Sequence, residues 1–144
     1  MTQVKLEFEL GVCNGTMHID IYEQERLLAS NKNIDTSWKT NFMVTWPSKL
    51  TIKLSNKDMQ RDTQMDSNGN IVANKYVKLI YMDVNGFALS EPSMYNICQY
   101  SPNGAEQINE IFWGFPGEVN IHFNQANPMR WNLELNNVLF FRET

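Results

Sequence analysis

Residues 50–86, LTIKLSNKDMQRDTQMDSNGNIVANKYVKLIYMDVNG, decide the fold. Leu50, Ile52 and Leu54 alternate with Thr51, Lys53 and Ser55, the period of two of a strand with one face in a core. Val77, Leu79 and Tyr81 alternate in the same way with Lys78, Ile80 and Met82. Between the two segments runs a loop that carries Asp58, Asp62, Asp66, Asn68 and Asn70. Strand, polar loop and return strand point to a sheet protein.

The same alternation continues on both sides of this stretch. Val4, Leu6, Phe8 and Leu10 alternate with Lys5, Glu7 and Glu9. Asn14-Gly15 supplies a tight turn, and Met17, Ile19 and Ile21 form a second alternating run, so an opening hairpin is expected. Tyr22 to Ser30 reads as a helical turn or, in preference, as a loop continuing into a further strand. Phe42, Val44 and Trp46 alternate until Pro47 stops the run. Beyond residue 86, Ser101-Pro102-Asn103-Gly104 is a compact turn. Glu106, Gln107 and Glu110 predict a helical turn over 105–111. Val119, Ile121 and Phe123 alternate again, and strand-like segments follow through Trp131, Leu133 and Leu135 and from Val138 to Phe141. Short strands at near-regular spacing predict an all-β chain. The expectation is one domain, 1–144, built as an antiparallel β-sandwich with jelly-roll-like topology.

Composition narrows the function. The chain has 144 residues, a net charge of −4 and no run of Lys or Arg, which argues against a nucleic-acid partner. Hydrophobic residues make up 42%, enough for a core. Asn is about one residue in eight, which with the β-branched and aromatic content favours strands joined by turns. No apolar window reaches the length of a membrane span. MTQVKLEFEL lacks the apolar run of a signal peptide, so synthesis in a reducing cytosol is expected. Cys13 and Cys98 then read as buried free thiols rather than a disulfide.

Two groups of residues carry candidate chemistry. Asp58, Asp62, Asp66, Asn68 and Asn70 are hard oxygen donors on a loop, the donor type that calcium selects. Asp66-Ser67-Asn68-Gly69-Asn70 is not an EF-hand, because its glycine comes too early and no glutamate closes it. Asn68-Gly69 serves equally well as a plain hairpin turn. The second group is Trp113, Phe115, Asn120 and His122. Aromatic rings on the Gly/Pro-bounded loop Phe112-Trp113-Gly114-Phe115 stack on the apolar face of a sugar, while Asn120 and His122 bond to its hydroxyls. The competing reading packs those rings into the core or an interface. Trp38, Trp46 and Trp131 read as core. His18 and His122 have no second ligand at metal spacing. No nucleophile or phosphate-loop motif is present, and Glu7 with Glu9 or Glu23 with Glu25 reads as a solvated face or loop, so an enzyme is not expected.

The strand LTIKLSN, the acidic loop and the return strand ending in Tyr81-Met82-Asp83-Val84-Asn85-Gly86 resemble the calcium-dependent, xylan-binding type of carbohydrate-binding module. Asn74-Lys75 stands where that family carries an Asp-Arg pair. Asp62-Thr63, Asp66, Gly69-Asn70-Ile71 and Lys75-Tyr76-Val77-Lys78 are similar to small virion proteins of tailed phages. The resemblance implies a β-sandwich that binds sugars or holds to a virion surface, often with calcium. The expected function is therefore a non-catalytic virion structural or attachment protein, a decoration, neck or tail component. Its partners would be other virion proteins or further copies of the chain, with surface glycan as a further ligand. Met94, Trp113, Phe115 and the strand 138–141 are the expected contacts. The alternative is a calcium-dependent carbohydrate-binding module proper.

Overall fold

Period-two alternation makes strands, and the pairing of those strands fixes which loops meet at which end. The computed structural model describes residues 2–11, 17–34, 36–55, 63–65, 67–69, 71–123, 128 and 131. In order they form β1 (Thr2–Gly11), β2 (Met17–Glu23), β3 (Arg26–Ile34), β4 (Ser37–Val44), β5 (Ser48–Ser55), β6 (Thr63–Met65) and β7 (Ile71–Asn74). β8 (Tyr76–Val84), β9 (Phe87–Ala88), helix α1 (Glu91–Ile97), β10 (Gln99–Pro102), β11 (Ile108–Asn109), β12 (Phe112–Trp113) and β13 (Gly117–Phe123) follow. One sheet runs β12-β8-β1-β4, with β9 beside β8; the other runs β11-β10-β13-β5-β2-β3. β6 and β7 pair alone. Every pairing among the described residues is antiparallel, and the chain repeatedly changes sheet. The fold is the antiparallel, jelly-roll-like β-sandwich expected from the sequence.

The partners differ from expectation in three places. β1 lies between β8 and β4, whereas β2 lies between β5 and β3, so the two do not form an opening hairpin. Both strands bury an apolar face, and that pattern is satisfied across the sandwich as well as beside a neighbour. The hairpin is β2–β3, turning at Gln24-Glu25, which settles residues 22–30 as turn and strand. Residues 105–111 form no helix and contain β11, with Asn109 opposite Gln99 and Ile108 opposite Tyr100. Sheet pairing there overrides the helix propensity of Glu106 and Gln107. A helix forms instead at α1, where the Ser90 side chain accepts from the Ser93 N–H at 3.3 Å and Pro92 stands in the first turn.

A third difference changes which side chains reach the core. β8 carries a register shift opposite Glu7/Phe8, leaving one residue more on its side of the pairing. Val77 and Leu79 point inward as expected, but beyond the bulge Met82 and Val84 are buried and Tyr81 turns outward. Asn85-Gly86 closes β8 onto β9 with positive φ at both positions, the two-residue turn in which glycine at the second position is least strained.

Val4, Leu6, Phe8 and Leu10 of one sheet face Ile19, Ile21, Leu50, Ile52, Leu54, Val119, Ile121 and Phe123 of the other. Trp131 is buried, and Trp38 and Trp46 pack half-buried against the same core. One end is closed by Trp46 stacked on Phe123 at 4.5 Å, with Trp131 edge-on to both. The inward carboxylate of Glu23 accepts from the Thr45 N–H at 2.6 Å and from Arg26 at 2.8 Å, tying β2 and the β2–β3 turn to the β4–β5 connection. Cys98 is a free buried thiol.

Two outcomes follow from this packing. A Cβ at Gly117 would lie 2.2 Å from the carbonyl oxygen of Ser101, so Gly117→Ala forces β10 and β13 apart. It is expected to cost about 1–3 kcal/mol in denaturant unfolding, as overpacked sites do; a change within about 0.5 kcal/mol, the scale of a neutral surface substitution, would contradict the close approach. Burial also pushes the Cys98 thiol from 9.0 up to about 12, and raises the Tyr100 hydroxyl. The folded chain then keeps protons that the unfolded chain releases. Stability from this source is complete below about pH 9 and falls as pH climbs toward 12. Urea midpoints from pH 8 to 11 are expected to fall, and to fall less steeply in Cys98→Ala.

Candidate functional site

Strand register gathers the candidate loops at the end of the sandwich opposite the Trp46 cluster. Gly11 pairs with Tyr76, Ser55 with His18, and Gly117 with both Leu54 and Pro102. The connections 12–16, 56–75, 103–107 and 114–116 therefore start or finish at this end. Asp58, Asp62, Asp66 and Asn70 lie outside the described residues. Asn68 is exposed beside Gly69 in the turn joining β6 to β7. Among the described residues no group of three or more His, Cys, Asp and Glu is placed to hold a metal ion. Lys75, at the foot of this loop, is fully buried.

The four expected ligand residues do not converge. Trp113 has 0% of its surface exposed. Its ring packs 6.2 Å from both Phe8 and Tyr100, and its indole N–H donates to the Glu110 carbonyl at 2.8 Å. It offers no face to a ligand, so the core reading replaces the stacking one. Phe115 is 39% exposed at the loop end. The Tyr100 hydroxyl holds it there, donating to the Phe115 carbonyl at 2.6 Å and accepting from its N–H at 2.9 Å. Asn120 and His122 lie on the outer face of the second sheet. Asn120 accepts from the Thr51 hydroxyl at 2.9 Å, and His122 stands opposite Lys49. His122 is five residues from Gly117 along β13, roughly 17 Å at about 3.4 Å per residue, toward the closed end. Met94, expected at a contact surface, is a buried residue of α1, and residues 138–141 lie outside the described residues.

A different constellation forms on one flank. β11 is the edge of one sheet and β12 the edge of the other, so residues 108–113 cross between sheets on that side. The Glu110 N–H donates to the Cys98 carbonyl at 3.1 Å, and the Leu79 N–H to the Ile111 carbonyl at 2.9 Å. Glu110 Oε1 accepts from the N–H groups of Ile111 and Phe112 at 3.0 and 3.2 Å. Between this crossover and α1 lies a groove of about 610 Å³, lined by Lys78, Glu91, Tyr95, Asn96, Glu110 and Phe112 among others. The sequence offered one signal for it: Phe112 and Trp113 are adjacent in a strand, so one ring must face out when the other faces in. Which one is outside depends on the pairing of Trp113 with Val77, whose side chain is in the core.

No family model matches the chain, and no curated protein matches it in sequence. Two solved structures are similar to it. One is vCBM60 in complex with galactobiose, at 11% identity and a TM-score of 0.54, covering 83% of this chain and 97% of that one. The other is a selenomethionine form of vCBM60, described as part of a link by circular permutation between two families of calcium-dependent carbohydrate-binding modules. It is 9% identical with a TM-score of 0.55, covering 85% of this chain and 91% of that one. The likeness is one of fold.

Trp113→Ala is expected to cost about 3–5 kcal/mol in denaturant melts, because it empties a core site and strands the Glu110 carbonyl. Phe115→Ala, at an exposed ring, is expected to stay within about 1 kcal/mol of the unchanged chain. Equal costs for the two would contradict their placement.

Proposed function

We propose that the chain is a non-catalytic carbohydrate-binding module with calcium held in the 56–75 loop. The observation that carries this reading is the fold likeness to vCBM60 across more than four-fifths of the chain, since the structures it matches concern a sugar complex and calcium-dependent modules. The likeness agrees with the resemblance borne independently by the residues of 50–86. The donor set fits the ion: three carboxylates and two carboxamides on one loop are oxygen ligands of the kind calcium takes in sets of six to eight. In sequence, β6 separates Asp58 and Asp62 from Asp66, Asn68 and Asn70. Phe115 supplies an exposed ring face at the end of the sandwich where β5 finishes and this loop begins. Attachment to a virion rests on the wording of the loop alone, and neither similar structure supports it, so the carbohydrate reading takes its place.

A calcium ion that binds only the folded chain stabilises it by mass action, about 2.7 kcal/mol at a hundredfold excess over its dissociation constant. The melting temperature is therefore expected to rise with the logarithm of calcium concentration and to fall in excess EDTA. Superimposable melting curves would remove calcium from the account. A glycan array probed with and without calcium tests the ligand class, and an array blank in both conditions would overturn the carbohydrate reading.

A further inference from the structure

The flank groove has properties that the loop end does not explain. Phe112 is 43% exposed, and one face of its ring is backed by Tyr76 at 4.6 Å with an interplanar angle of 28°. The Tyr95 ring, on α1, is 44% exposed and lines the same groove. Around the two rings stand Glu91, Glu110, Lys78 and Asn96. The charged lining is two carboxylates and one ammonium among rings and an amide, so the groove repels anions and suits a neutral ligand with an apolar face and many hydroxyls. A volume of about 610 Å³ falls within the range of small-molecule sites.

The groove is also built before any ligand arrives. Glu110 Oε1 is committed to two backbone N–H groups, which fixes the carboxylate and leaves Oε2 as an acceptor. The crossover beneath it is held by the Trp113 indole and by the Leu79–Ile111 bond. A fixed acceptor between exposed rings lowers the ordering cost of binding. The same two hydrogen bonds argue against a peptide added as a strand, because the Ile111 and Phe112 N–H groups at this edge are already taken.

We propose that the groove between α1 and the 110–112 crossover is a second saccharide subsite, one that binds without calcium. It rests on the carbohydrate reading given above but not on the 56–75 loop. A pyranose places its C–H face on Phe112 or Tyr95, and its hydroxyls bond to Glu110 Oε2, Asn96 and Lys78. The ion takes no part, since the lining residues come from β8, α1 and the crossover.

The test is amide NMR of the isotopically labelled chain, titrated in excess EDTA with galactobiose and, separately, with xylotetraose. The expected result is saturable shifts of the Lys78, Tyr95, Asn96 and Phe112 amides for at least one of the two sugars. Tyr95→Ala removes an exposed ring that makes no hydrogen bond among the described residues, so it is expected to keep the remaining spectrum. It should weaken binding about tenfold, the scale of one lost stacking contact. Phe112→Ala is expected to do the same. Sugar binding that appears only with calcium, or shifts in EDTA that fall elsewhere, would overturn the subsite and leave the carbohydrate reading standing. Absence of binding to either sugar in both conditions would remove the subsite and count against that reading as well. Shifts of the same amides with protein concentration alone would assign the groove to a second copy of the chain, which also overturns the proposal.

Discussion

The bond from the Trp113 indole to the Glu110 carbonyl organises the surface around it. A buried indole must place its single donor on an acceptor inside the protein, and here that acceptor is a carbonyl of the segment crossing between the sheets. With the indole in the core, Phe112 faces outward and Glu110 lines the flank groove. Tyr100, packed on the same indole, clasps both backbone groups of Phe115 with its hydroxyl. Phe8 continues the row to Trp38, stacked at 5.8 Å, so the aromatic line reaches from one edge of the first sheet to the other. The exposed rings are thus positioned by buried ones.

The two ends of the sandwich are consequently unlike. At one end Trp46, Phe123 and Trp131 close the core, and Glu23 satisfies the backbone of the nearby turn. At the other end the chain leaves the sheets in several loops, including the one rich in carboxylates. Loops carried on a rigid sandwich are where binding residues collect, because the scaffold fixes their ends while their sequence varies freely. The flank adds a second surface, made where α1 and the crossover bridge the sheet edges. The proposed carbohydrate-binding role would use both surfaces without disturbing the core.

Likeness of fold to vCBM60 at 9–11% identity carries the architecture and not the site. The proposed site rests on this chain's own residues: the oxygen donors in the sequence of the loop, Phe115 exposed at the same end of the sandwich, and the Tyr95–Phe112 groove on the flank. Each of these stands on different chemistry. Metal ligation needs deprotonated oxygens, whereas stacking needs exposed rings next to fixed hydrogen-bond acceptors.

The sequence alone determined the longer strands and most of the core. Alternation in Val4–Leu10, Leu50–Ser55 and Val119–Phe123 is a local property, readable from neighbours two apart, and so is the chemistry of Asp58, Asp62, Asp66, Asn68 and Asn70. Tertiary structure decided what local pattern leaves open. A strand with one apolar face satisfies it beside any partner, so the sequence did not separate β1 from β2 into different sheets. The bulge in β8 reversed the inward set because register is fixed by the partner strand β1. Phe112 and Trp113 alternate wherever they lie, but only the pairing with Val77 chose the indole for the core. The groove draws on positions 78, 91–96 and 110–112, which come together because two sheet edges meet on one flank. Contacts between distant segments set the phase of each strand, and that phase selects which side chains reach solvent.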